Sequence, residues 1–115
     1  MLQVKAMQPD AADEVFAALG DATRRAIVRL ASQGPQTVSS LAAALNVTLT
    51  AIIQHLRVLQ ACGLLQTRKV GRVRICELDR HGLDVLAGWV AFIRQMWEQR
   101  FDALGVMLRE DVGGK

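Results

Sequence analysis

The chain has 115 residues, of which 51% are hydrophobic, with a formal net charge of +3 and a pI of about 9.4. This length fits a single domain spanning 1–115, and the excess of apolar residues predicts burial at a subunit interface. Two cysteines exclude a disulfide framework, no apolar run approaches a membrane span, and Met1–Lys5 lack a signal-peptide core, so we expect a cytoplasmic protein with reduced thiols and no membrane partner.

Residues 10–36 predict two helices. The first begins near Asp10, carries Val15 on its apolar face and ends at Gly20. Asp21 can cap the second helix, which Gly34-Pro35 would stop.

Residues 37–63 predict a helix-turn-helix. Thr37 can cap a short helix, Asn46-Val47 provide a tight connection, and Thr48 can cap the second helix. Gly63 suits the left-handed position after that helix. A helix of this kind fits the major groove, so the order of elements indicates a duplex DNA-binding protein.

Residues 64–78 predict a basic β-hairpin, the wing, with its turn around Val70-Gly71. We expect Lys69 opposite Arg72 and Leu65 opposite Cys76, with Cys76 and Leu78 on the core side. The hairpin cations could contact phosphates or enter a minor groove, although an ordinary solvated strand is the alternative. The predicted fold is therefore mainly α with a small β-hairpin: a winged helix-turn-helix of about five helices and a two-stranded wing.

Residues 79–110 predict a long last helix that begins after Asp79. Its apolar positions recur every three or four residues, a pattern that requires a partner helix. We expect a two-fold homodimer in which this helix packs with the first helix, and the alternative is a core helix within one chain. The predicted interface residues are Val15, Phe16, Leu83, Leu86, Val90, Ile93, Trp97, Phe101 and Leu104.

The outward face of the second helix of the pair carries side chains suited to DNA. Gln54 can bond adenine in two places, while Thr50, Ala51 or Ile53 could meet a thymine methyl. His55 lies near the inward edge, so it either contacts DNA or bonds within the fold. The predicted DNA-binding residues are Thr48, Thr50, Ala51, Ile53, Gln54, His55, Arg57, Arg68, Lys69, Arg72 and Arg74.

Several segments resemble the ArsR-type winged-helix repressors. They are the stretches 16–25, 38–42, 55–59 and 62–65, followed by Gly71-Arg72 at the wing turn. The tail, with Trp89 and the stretch 97–104, is similar to a subgroup not usually associated with metals. The resemblance implies a homodimer that binds a pseudo-palindromic operator and represses transcription; no small-molecule effector is assigned.

The chain departs from metal-sensing members of that family. It lacks a thiol or imidazole in the stretch 38–42, and the last helix has no histidine beyond His81 at its start, so we expect no metal and no cofactor. No catalytic arrangement is visible, so we expect no enzyme. The alternatives are a protein-interaction module, or a repressor whose Cys62 and Cys76 respond to oxidation; two ordinary buried thiols are the simpler interpretation.

Overall fold

The computed structural model describes residues 10–113, and the side chains of residues 10–109. Met1–Lys5, considered above as a possible leader, lie outside the described residues. The predicted fold class is confirmed: five helices and a small antiparallel sheet form a winged helix-turn-helix within the described part of the chain. The elements are α1 (Ala11–Leu19), α2 (Ala22–Ala31), β1 (Gln36–Thr37), α3 (Val38–Leu45), α4 (Leu49–Ala61), β2 (Leu65–Val70), β3 (Val73–Leu78) and α5 (Arg80–Gly113).

Short polar side chains start the first four helices, as the sequence predicted. The carboxylates of Asp10 and Asp21 each accept a backbone N–H three residues later, at 3.0 Å. Thr37 and Thr48 do the same through their hydroxyl oxygens, at 2.9 and 3.1 Å. Each bond satisfies a donor that the helix itself leaves unpaired, so the local sequence alone sets these boundaries.

The hydrophobic core lies where α1 to α4 meet the sheet. Its fully buried large side chains include Ile27, Leu41, Ile52 and Leu59. Val15 is also fully buried in this core. It is therefore unavailable to a second chain, and the prediction that it lies in the subunit interface was wrong.

The sheet differs from the prediction in register and in strand number. Leu65 pairs with Leu78 and Lys69 with Arg74, so the predicted register was wrong by two residues. The two-residue turn is Gly71-Arg72 instead of Val70-Gly71. Gly71 has a φ of +62°, and glycine at the first turn position is typical of a type II′ hairpin.

A third strand, β1, extends the two-stranded wing that the sequence predicted. Gln36 pairs with Cys76 and Thr37 with Ile75, giving the strand order β1-β3-β2. Thr37 is thus both a strand residue and the N-cap of α3. Strand β1 therefore leads straight into α3, and the sheet is joined to the first helix of the helix-turn-helix without a loop at this residue.

Helix α5 has 34 residues, and at 1.5 Å per residue it is about 50 Å long. Its first turns pack on the core through Val85 and Leu86. The ring of Trp89 meets that of Phe16 from α1 edge to face, at 4.9 Å between centroids. Among residues 10–113, no single helix is long and apolar enough to cross a bilayer.

Candidate nucleic-acid interface

Helices α3 and α4 form the helix-turn-helix, with a 112° change of direction between them. Asn46 takes the left-handed conformation at the end of α3, with φ +56°, and this permits the sharp connection. Helix α4 buries Ile52, Leu56 and Leu59 against the core. Its opposite face is open to solvent and available to a ligand.

One stripe of α4 faces an open cleft beside the wing. Leu49, Ile53 and Arg57 follow each other at four-residue spacing, so they share a face of the helix. The cleft has a volume of about 550 Å³. Its walls come from the start of α3, from α4 and from the wing turn, and its lining residues are Thr37, Val38, Ser39, Leu49, Ile53, Arg57, Arg72, Val73 and Arg74.

Three arginines make this cleft cationic. Arg57 projects from α4, while Arg72 and Arg74 project from the wing. Lys69 is exposed on the same hairpin, directly across from Arg74. Positive side chains from two separate elements therefore surround one concave surface, as binding to a polyanion requires.

Arg68 stands apart from these cations. Its Nε lies 2.6 Å from a carboxylate oxygen of Glu77 across the hairpin. Arg68 also points to the opposite sheet face from Lys69, because successive strand residues alternate. Its charge is thus neutralised within the protomer, and the wing cations that line the cleft are Arg72 and Arg74.

The other predicted residues of α4 divide by exposure. Thr50 and Gln54 are exposed, whereas Ala51 is half-buried. The hydroxyl oxygen of Thr48 accepts the N–H of Ala51. Because a hydroxyl also carries one donor, Thr48 can still bond a phosphate while it caps the helix.

His55 bonds within the fold, which was one of its two predicted roles. Its Nδ1 lies 3.4 Å from Nη1 of Arg24 and 3.9 Å from a carboxylate oxygen of Asp21. A guanidinium only donates, so this hydrogen bond requires Nδ1 to be the accepting nitrogen. The contact ties α4 to the start of α2.

Arg24 and Arg25 have a role that the sequence analysis missed. Arg24 donates from Nε to the carbonyl of Ala18 at 2.6 Å, and Arg25 donates to the carbonyl of Leu19 at 2.8 Å. These carbonyls belong to the last turn of α1, which has no basic residue of its own.

The backbone N–H of Arg24 is the main cause of the lowered pKa of Asp21.

Both cysteines are free and buried. Burial raises the pKa of the Cys62 thiol and of the Cys76 thiol, which disfavours the reactive thiolate. Cys62 also donates its S–H to the carbonyl of Leu59 at 3.4 Å. The register places Cys76 across from Thr67 instead of Leu65. These environments favour two ordinary buried thiols.

Helix α5 exposes a long apolar surface beyond its first turns. Trp97 and Phe101 stack on each other with centroids 5.5 Å apart, yet remain 63% and 62% exposed. Leu83, Val90, Ile93 and Leu104 are also exposed, whereas Leu86 is half-buried.

Among the described side chains, no group of three His, Cys, Asp or Glu residues could hold a metal ion.

The described residues form a winged helix-turn-helix with a cationic cleft between α4 and the wing. A family model described as "Bacterial regulatory protein, arsR family" matches residues 21–67. The chain is 43% identical, over 74 residues, to the HTH-type transcriptional regulator Rv2034 of Mycobacterium tuberculosis, an alignment that covers 64% of this chain and 69% of that protein.

Solved structures agree with this relationship. The chain is similar to an ArsR-like transcriptional regulator from Rhodococcus sp. RHA1, with 38% identity and a TM-score of 0.73, over 82% of this chain and 89% of that one. It also resembles the homodimeric winged helix-turn-helix DNA-binding domain Mb0332 from Mycobacterium bovis, with 26% identity and a TM-score of 0.62, over 86% of this chain and 89% of that one.

The chain belongs to the arsR family of bacterial regulatory proteins. It is a transcriptional regulator with a winged helix-turn-helix DNA-binding domain, and not an enzyme.

Proposed function

We propose that this protein is a homodimeric repressor that binds a specific operator in double-stranded DNA. The observation that carries the proposal is the cationic cleft, which Arg57 of α4 lines together with Arg72 and Arg74 of the wing. Helix α4 would enter the major groove, with Thr50 and Gln54 at base edges and Thr48 at a phosphate. The wing arginines would hold the adjacent backbone.

The dimer is proposed from the apolar surface of α5. A 50 Å helix with stacked and exposed Trp97 and Phe101 needs a second apolar surface to cover it. Mb0332, which is similar in fold, is homodimeric. The proposed contact residues are Phe16, Leu83, Leu86, Val90, Ile93, Trp97, Phe101 and Leu104.

A two-fold dimer presents two copies of α4 to the DNA. The operator would then have two half-sites about one helical turn apart, roughly 34–36 Å. A dimer bound across a promoter would block transcription from it. Because its target is the bacterial chromosome, we place the protein in the cytoplasm, without a membrane partner. No effector is assigned.

The first experiment is a mobility-shift titration of the full chain against DNA from upstream of its own gene, at several salt concentrations. Arg72→Ala and Arg74→Ala should each weaken binding to all sequences and flatten the slope of log K against log salt by about one unit. Arg29→Ala is the control, because Arg29 is an exposed arginine on α2 outside the cleft. It removes the same charge and should leave the slope unchanged.

A second control uses the ion pair of the wing. The double substitution Arg68→Ala with Glu77→Ala leaves the net charge unchanged and removes the pair. It should bind DNA nearly as the native protein does. Equal effects of Arg72→Ala and Arg29→Ala would contradict the proposed cleft. No salt-sensitive complex with any duplex would favour the alternative of a protein-interaction module.

Repression needs its own test. A reporter driven by the bound promoter should be less active when the native protein is present, and Arg72→Ala should restore its activity. Higher reporter activity with the native protein would instead make it an activator.

A further inference from the structure

Two large aliphatic side chains stand exposed on the stripe of α4 that faces the cleft. Leu49 is 52% exposed and Ile53 is 39% exposed. Neither belongs to the hydrophobic core, which α4 already contacts through Ile52, Leu56 and Leu59. The fold therefore does not account for an isoleucine and a leucine at these two positions.

The surroundings of this apolar pair are cationic. Arg57 is the next residue along the same stripe, and Arg72 and Arg74 border the cleft from the wing. An apolar contact ringed by guanidinium groups suits a ligand with a polyanionic backbone and small apolar groups between its charges. Duplex DNA has this composition in its major groove, where the only apolar group on a base edge is the C5 methyl of thymine.

We propose that Leu49 and Ile53 read thymine methyl groups in the operator, and so determine part of its sequence. This inference rests on the proposed function, because it assumes that α4 enters the major groove. Leu49, at the first turn of α4, and Ile53, one turn later, contact the methyls, while the three arginines hold phosphates on either side. Each half-site then requires thymine at fixed positions.

The spacing of the two side chains limits where these thymines lie. Residues four apart on a helix have Cβ atoms about 5–6 Å from each other. Successive bases on one strand are about 3.4 Å apart along the axis. The two methyls are therefore expected one or two base steps apart within each half-site.

The test removes the methyl group and nothing else. The operator is first selected from random duplexes with the purified full chain, and each thymine of the half-site is then replaced by uracil. Uracil keeps the base pair but lacks the C5 methyl. Loss of one buried methyl should weaken binding about three- to fivefold at one or two positions. The remaining thymines should tolerate the change.

Two variants connect this effect to the side chains. Leu49→Gln and Ile53→Gln place a good helix former at exposed positions, so the fold should be kept. Replacing thymine by uracil weakens binding of the native protein, which is the uracil effect. Each variant should lose this effect at the base that its native side chain contacts. Gln54→Ala is the matched control on the same helix, and it should lose discrimination at a different base pair while it keeps the uracil effect.

The outcomes separate this inference from the proposed function. A specific complex that binds uracil and thymine operators equally would overturn methyl readout and leave the repressor proposal standing. A uracil effect that persists in both glutamine variants would assign the readout to other residues and would also overturn it. Failure to select any sequence would overturn both proposals.

Discussion

The backbone N–H of Gly82 donates to the carbonyl of Gly63 at 2.7 Å. Gly63 follows α4 and has a φ of +80°, and Gly82 lies in the first turn of α5. Next to this bond, the backbone N–H of Asp79 donates to the carbonyl of Leu64 at 2.9 Å. The start of the proposed dimer helix is thus fixed directly to the end of the proposed recognition helix.

Gly82→Ala should destabilise the protein by about 1–3 kcal/mol. A Cβ at this position would lie 2.8 Å from the carbonyl oxygen of Gly63, and backbone cannot move aside as a flexible side chain can. Chemical denaturation measures the change. Gly88→Ala is the control on the same helix, because a Cβ there meets nothing within 4 Å. It should stabilise by up to about 1 kcal/mol. Similar effects of both substitutions would refute the close approach.

His55→Ala should weaken DNA binding at every salt concentration without changing the salt slope. The ring ties α4 to Arg24, so its loss loosens the position of the helix but removes no phosphate contact. The stability should fall by about 0.5–1.5 kcal/mol, the usual contribution of one hydrogen bond. His55→Gln, which retains an acceptor, should recover part of both losses. A flatter slope in His55→Ala would indicate instead that the imidazole touches the DNA backbone.

Acid should destabilise the native protein more than the Asp21→Asn variant. The N–H of Arg24 favours the charged carboxylate, so the pKa of Asp21 is lower in the folded than in the unfolded chain. Its contribution is fully present above the pKa of the unfolded chain and is lost as the pH falls through the lowered pKa of the folded chain. Asparagine can still cap α2 but does not titrate. Thermal melts between pH 6 and pH 2 compare the two proteins, and parallel curves would exclude the effect.

Trp97→Ser combined with Phe101→Ser should shift the protein from dimer to monomer in sedimentation experiments. The two rings stack on an exposed part of α5, and the proposed partner would cover them. Glu98→Ala is the control, since it changes an exposed residue between them that is outside the proposed contact set. A native protein that sediments as a monomer at micromolar concentration would contradict the dimer itself.

Local features made the helices predictable. Asp10, Asp21, Thr37 and Thr48 each act on an N–H only three residues away, so a short window of sequence contains the cap and its partner. Gly63 was predicted to be left-handed for the same reason. Such short-range chemistry sets where a helix begins and ends.

Relationships between distant residues were less accessible. The predicted register of the hairpin was wrong by two residues because glycine suits either central position of a turn. A register shift of two residues also keeps Cys76 on the core face, so the burial pattern does not reveal it. The contact of His55 with Arg24 spans 31 residues, and β1 is a strand only because it pairs with distant β3. Leu49 was missed because a leucine in a helix is normally taken to face the core.

The junction at Thr37 limits how affinity for DNA could be regulated. This residue ends the strand that pairs with β3 of the wing and caps the first helix of the helix-turn-helix, so no loop separates the sheet from α3. Each protomer should then present its DNA-binding surface in one fixed shape. A signal that releases the operator would have to change the distance or the angle between the DNA-binding surfaces of the two protomers, instead of the shape of either surface.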